Sequence, residues 1–122
     1  MPPSSLADVQ RQMGETSEHL EELEGELSYA RGRLVEAQRA WLHHKASVNL
    51  LLAATGERTN EDLREAEALT RYDADGRLGL DLHTEFDNWR SQVETIQSSI
   101  SMTQSRASTA RKHADTIIAA GG

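Results

Sequence analysis

The chain of 122 residues contains no cysteine, which excludes disulfide frameworks, thiolate zinc sites and cysteine nucleophiles together. Aromatic residues make up only 4%, as one Phe, two Trp and two Tyr, so any hydrophobic core is modest. The two prolines are Pro2 and Pro3, ahead of everything that patterns as helix. No apolar run approaches the roughly 18 residues that a membrane span needs, and no charged-then-apolar leader opens the chain, so a cytoplasmic protein without a membrane partner is expected. Thirteen Lys and Arg against twenty Asp and Glu leave a net charge of -7, the wrong sign for coating nucleic acid with the whole surface.

What is present is a heptad. Alternate steps of three and four from Leu6 land on Leu6, Val9, Met13, Thr16, Leu20, Leu23, Leu27, Ala30, Leu34, Ala37, Trp41, His44, Val48 and Leu51, and twelve of these fourteen are apolar. A seam with period 3.5 keeps a helix facing one partner along its length. Gly14, Gly25 and Gly32 fall at outer positions, where they open no hole in the seam. Stepping from Leu82 gives a second seam, Leu82, Phe86, Trp89, Val93, Ile96, Ile100, Thr103, Ala107, Ala110, Ala114 and Ile117.

Capping signals divide the chain. Ser5 with Asp8 starts a first helix over about 5–55, Gly56 suits a left-handed helix end, and Thr59 suits an N-cap with Asp62 three residues on. A turn at 56–59, a second helix over about 60–73, a kink at 74–79 and a third helix over about 80–119 follow. The first helix would be roughly 75 Å long at 1.5 Å per residue. The expected fold is therefore all-α: a single-domain antiparallel helical hairpin of coiled-coil type, its second arm kinked near 73–79, pairing with a second copy into a helical bundle. Whether the kink folds the arm back into three helices stays open.

With the turn near residues 57 and 58, opposed residues have numbers summing to about 115. That register sets Phe86 and Trp89 near Ala30 and Leu27, Ala107 and Ala110 near Val9 and Leu6, and Arg31, Arg33 and Arg39 opposite the acidic stretch from Asp73 to Glu85. Residues 31–58 carry five positive and two negative charges and residues 59–89 nine negative and three positive, so intramolecular pairing is the expected use of the basic stretch Arg31, Arg33, Arg39, His43, His44 and Lys45. A nucleic-acid patch there is the alternative.

Candidate chemistry is sparse. Asp73-Ala74-Asp75-Gly76-Arg77-Leu78 has the spacing of the middle of a calcium loop, yet Arg71 and Leu82 stand where the first acid and the last Glu belong, so a helix-breaking turn is expected. The histidines at 19, 43, 44, 83 and 113 make no zinc-binding pair. His44 lies on the seam, near Arg71 and Tyr72 in the hairpin register, where a polar residue that fixes register is expected and metal or pH sensing is the alternative. Trp41, Phe86 and Trp89 occupy seam positions and are expected in the core rather than stacked on bases. Glu15, Glu18, Glu21, Glu22, Glu24 and Glu26 put six acids in twelve residues off the seam, a solvated face or, in a binding module, the surface expected to dock a basic protein partner. Residues 91–109, which oppose them, hold one acid and one base and cannot neutralise them. No phosphate loop, nucleophile elbow or paired-acid motif occurs, so neither catalysis nor a cofactor is expected. The seam residues Leu20, Leu27, Leu34, Trp41, Phe86, Trp89, Val93, Ile96 and Ile100 are the candidates for self-association.

Leu34-Val35-Glu36-Ala37-Gln38-Arg39-Ala40-Trp41, Leu51-Leu52-Ala53-Ala54-Thr55-Gly56-Glu57-Arg58-Thr59, Asp62-Leu63-Arg64-Glu65-Ala66, Arg90-Ser91-Gln92-Val93 with Ile96-Gln97, and the run to Ala110-Arg111 together cover roughly residues 31–114. This pattern resembles small helical proteins of phages infecting actinobacteria, many without an assigned function and some encoded near recombination or replication genes. The resemblance implies an accessory protein that binds a host or phage protein, in the host cytoplasm or in the virion, and carries over no catalytic or binding residue. The chain also resembles the hairpins of Trp-x-Gly secretion substrates, but its turn is Thr55-Gly56-Glu57 and has no tryptophan. Two alternatives to a binding module are a structural virion component acting through self-association and a recombination or replication factor that binds nucleic acid.

Overall fold

The computed structural model describes residues 5–56 and 59–121. It is all-α, with helices α1 (Leu6–Ala54), α2 (Glu61–Thr70) and α3 (Gly79–Ala119), and α1 packs against α3 as in a helical hairpin. Both ends of α1 are capped as expected. Ser5 Oγ accepts from the Asp8 amide at 3.2 Å, and Gly56 turns left-handed at φ 73° beyond the C-terminus. Pro2, Pro3, the turn residues 57 and 58 and Gly122 lie outside the described residues.

The start of α2 differs from expectation by one residue. Asn60, not Thr59, is the N-cap: its backbone is extended and its Oδ1 accepts from the Leu63 amide at 2.9 Å. Asparagine's short side-chain carbonyl reaches that amide at least as well as a threonine hydroxyl. The helix also ends at Thr70, three residues before the expected limit, because Arg71 is extended at φ -98°, ψ 155°.

The expected kink is a closed loop. Tyr72 and Leu78 form an antiparallel bridge, the Asp73 amide donates to the Arg77 carbonyl at 2.8 Å, and the Gly79 amide donates to the Arg71 carbonyl at 2.8 Å. Inside it, Asp73 Oδ1 accepts from the amides of Asp75 at 3.0 Å and Arg77 at 2.8 Å, an Asx-type arrangement that stands in for missing backbone partners. Gly76 takes φ 78°, which an L side chain resists.

The chain divides into two compact units. The unit Ala30–Val93 holds the C-terminal part of α1, all of α2 and the start of α3. Its core is Trp41, Val48, Leu52, Ala68 and Leu82, with Ala40, Leu69 and Phe86 packed against it. Each large apolar side chain buried there contributes about 1.5–3 kcal/mol. The other unit joins the segment up to Tyr29 with the segment from Glu94, and its core sets Val9 on Ala110 and Ala114, flanked by Leu6, Met13 and Ile117. A branched side chain against two alanines brings the helices close there.

Thirteen of the fourteen first-seam residues and all of the second are buried or half-buried. The exception is Leu51, which is 55% exposed, while its neighbour Leu52 is 3% exposed. A straight α-helix advances 100° per residue, so steps of four from His44 through Val48 reach Leu52 where a strict heptad reaches Leu51. The register also departs from the expected sum. Phe86 lies on the Trp41 cluster and Trp89 under the Arg33 guanidinium, rather than near Ala30 and Leu27. Val9 clusters with Ala110 and Ala114 rather than with Ala107. Because the loop's ends meet at the Tyr72–Leu78 bridge, residues 72–78 supply little of the roughly 10 Å of rise that a helix of that length would supply, which accounts for the direction of these departures.

Candidate functional site

His44 is the polar key of the Ala30–Val93 unit. It is 3% exposed, and its Nε2 donates to the Ala68 carbonyl at 2.8 Å, so the ring fastens α1 to α2 and carries its hydrogen on that nitrogen. Gly79 makes the same junction from α3: a Cβ there would fall 1.7 Å from the Ala68 oxygen and 2.8 Å from His44 Nε2. Beside them Trp41 meets His83 edge-on, ring centroids 4.9 Å apart, and His83 Nδ1 lies 3.4 Å from Asp87. His44 thus meets the α2 end as expected, with Ala68 rather than Arg71 or Tyr72 as its partner. Among the described residues no group of three or more potential metal ligands comes together.

The Asp73 loop uses its carboxylate internally. Oδ1 is taken by two backbone amides and Oδ2 by the Arg77 guanidinium at 3.0 Å. The Arg77 amide, the Asp75 amide and the Arg77 charge hold the carboxyl below the usual carboxylate range, against the opposing effect of desolvation. Both oxygens are oriented toward the loop's own donors, as in a structural turn.

The expected pairing of the basic stretch with the acidic segment is met by one residue. Arg33 reaches Glu85 at 3.7 Å and Glu36 at 3.5 Å, with its guanidinium 5.5 Å from the Trp89 ring centroid. Arg31 and Arg39 are exposed and Lys45 half-buried, and none of the three enters an ion pair among the described residues. Within the acidic stretch Asp73 and Asp75 pair with Arg77 instead, and just ahead of it Glu67 pairs with Arg71. Pairs within one turn form with little ordering of the chain, and Arg39 lies with Val35 and Leu42 on the side of α1 away from the core.

The acidic cluster is exposed throughout: Glu15, Glu18, Glu21, Glu22, Glu24 and Glu26 all face solvent on α1, and Glu22 alone has an ion-pair partner among the described residues, His19 Nδ1 at 3.9 Å. Of the seam candidates, Trp41 and Val93 are buried, and Leu20, Leu27, Leu34, Phe86, Trp89, Ile96 and Ile100 are half-buried.

A second apolar face lies outside the heptad pattern. Val35 is 52% exposed, Leu42 51% and Leu50 72%, with Ala46 and Ala53 open beside them. At 100° per residue these positions lie on the side of α1 opposite Ala37, Trp41, His44 and Val48. Val35, Gln38, Arg39, Leu42 and His43 line a shallow groove along that face. Its signal in the sequence is slight: Val35 and Leu42 are apolar, off the seam and seven residues apart. A second hollow lies between α1 and the loop, lined by His43, Ser47, Leu51 and residues 70–74.

No family model matches the chain, and comparison with curated proteins and with solved structures gives no match either. No helix among the described residues is long and apolar enough to cross a membrane.

Proposed function

We propose that the chain is a non-enzymatic protein-interaction module, a helical scaffold that presents one face of α1 to a host or phage protein in the host cytoplasm. The observation that carries this reading is the two-sided apolar character of α1 between Val35 and Ala53. One side is filled by the chain's own core, and the other leaves Val35, Leu42 and Leu50 half or more exposed. Apolar residues at two-turn spacing on a rigid helix are the form in which helix-to-helix recognition is encoded. The phage-accessory resemblance agrees with it, and the net charge of -7 opposes the nucleic-acid alternative.

The test is affinity capture from actinobacterial lysate with two baits, the native chain and V35D/L42D. Both positions are exposed, so circular dichroism should show unchanged helicity, and a protein retained by the native bait should be lost from the variant. A set of captured proteins identical for both baits would overturn the reading. The exposed glutamates from Glu15 to Glu26 support a second reading, docking of a basic partner, and charge reversal there would then remove capture while V35D/L42D leaves it intact. The structural virion alternative instead requires a stable oligomer that captures nothing.

A further inference from the structure

We infer that the groove along Val35 and Leu42 receives an acidic amphipathic helix of a protein partner. The inference rests on the interaction-module reading and names the chemistry of its occupant. Val35 and Leu42 lie two turns apart on a continuous helix, so a helix laid alongside meets both with apolar residues at its own seven-residue spacing. The edges of the groove supply the sign. Arg31 and Arg39 are exposed, Lys45 is half-buried, and none of the three has a carboxylate partner among the described residues. The acid on that stretch of α1, Glu36, already lies against Arg33.

A chain of net charge -7 thus keeps a cationic border around its exposed aliphatic stripe. Carboxylates flanking an apolar seam answer that border with charge-assisted bonds and steer the approach. Nucleic acid does not fit, because the groove offers aliphatic side chains where base stacking needs aromatic ones, and Trp41 is 4% exposed in the core. The same face of a second copy does not fit either, since an isologous contact would set Arg31, Arg39 and Lys45 against like charge.

The experiment uses the full chain and three fluorescein-labelled synthetic helical peptides. One carries leucines at seven-residue intervals flanked by glutamates, one has lysines for those glutamates, and one has serines for the leucines. Fluorescence anisotropy should show the acidic peptide binding at least about tenfold more tightly than either counterpart. R31E/R39E should reverse the preference toward the lysine peptide, and L42D should abolish binding of both. Equal binding of acidic and basic peptides, or an unchanged preference in R31E/R39E, overturns the inference. So does self-association by light scattering that disappears in R39E, which would make the acidic stretch of a second copy the occupant. If no peptide binds while lysate capture still depends on Val35 and Leu42, the inference fails and the interaction-module reading stands.

Discussion

Substituting alanine for glycine should have opposite effects at different glycines of this chain, and Gly79 is the decisive one. Its Cβ would sit 1.7 Å from the Ala68 oxygen and 2.7 Å from the Ala68 carbonyl carbon, both backbone atoms that no rotamer change can remove. The start of α3 would have to retreat from α2 by roughly 1.5 Å to restore van der Waals contact. That retreat opens the Trp41 and Leu82 cluster and withdraws Ala68 from His44. Overpacking of this kind costs about 1–3 kcal/mol, and leaving His44 buried without its acceptor costs about 1–3 kcal/mol more. The gain in helix propensity at the first residue of α3 offsets less than about 1 kcal/mol. G79A should therefore lose about 1–5 kcal/mol, which moves the urea midpoint down by roughly 0.5–2.5 M at a denaturant slope of about 2 kcal/mol/M. Fluorescence of buried Trp41 reports on this unit directly. By contrast, Gly14, Gly25 and Gly32 have nothing within 4 Å of an added Cβ, and alanine at each should stabilise by about 0.5–1 kcal/mol. A double-mutant cycle of G79A with H44A should be clearly sub-additive, because both act on one contact. G79A as stable as the native chain, or additive with H44A, would refute the reasoning.

Two further predictions follow from local geometry. L52A should destabilise by about 2–4 kcal/mol in chemical denaturation while L51A costs less than about 1 kcal/mol; equal losses would restore the strict heptad. Because the folded-state pKa of Asp73 is depressed, its contribution is present above the ordinary carboxylate pKa and is lost as pH falls through the lower folded value. Amide shifts of Asp75 and Arg77, followed by NMR on acidification, should hold through the usual carboxylate range and move only below it. In D73N they should show no such step, and a native midpoint at or above the ordinary value would contradict the assignment.

Both long helices are legible in the sequence because chance rarely sustains a 3.5-residue period over many turns, and the inward residues from Leu6 to Val48 are the ones the fold covers. Leu51 breaks the pattern because a strict period ignores how a straight helix drifts once α2 covers it. The register of Phe86 and Trp89 is hidden for a different reason. Counting residues equates sequence distance with axial distance, and Asp73-Ala74-Asp75-Gly76-Arg77 signals a turn without fixing that Tyr72 and Leu78 pair across it. Gly79 looks like one more helix breaker in the sequence, although a glycine that keeps ordinary helical torsions is there for the neighbour it admits. On the surface, charge counting over blocks predicts neutralisation of Arg31 and Arg39, whereas pairs one turn apart claim the acids first. The cationic border and the Val35–Leu42 face become legible only after that local pairing is known.

The bridge between Tyr72 and Leu78 also separates the length of the chain from its phase. Residues added between Ala74 and Asp75 lengthen an excursion that begins and ends at one point, so Leu82 and Phe86 keep their places in the core with Trp41. An insertion inside α3 has no such refuge, since each added residue rotates everything beyond it by 100°. The loop is thus an indexing joint, the place on this arm where a tag, a reporter or an inherited insertion leaves the packing of α3 in step.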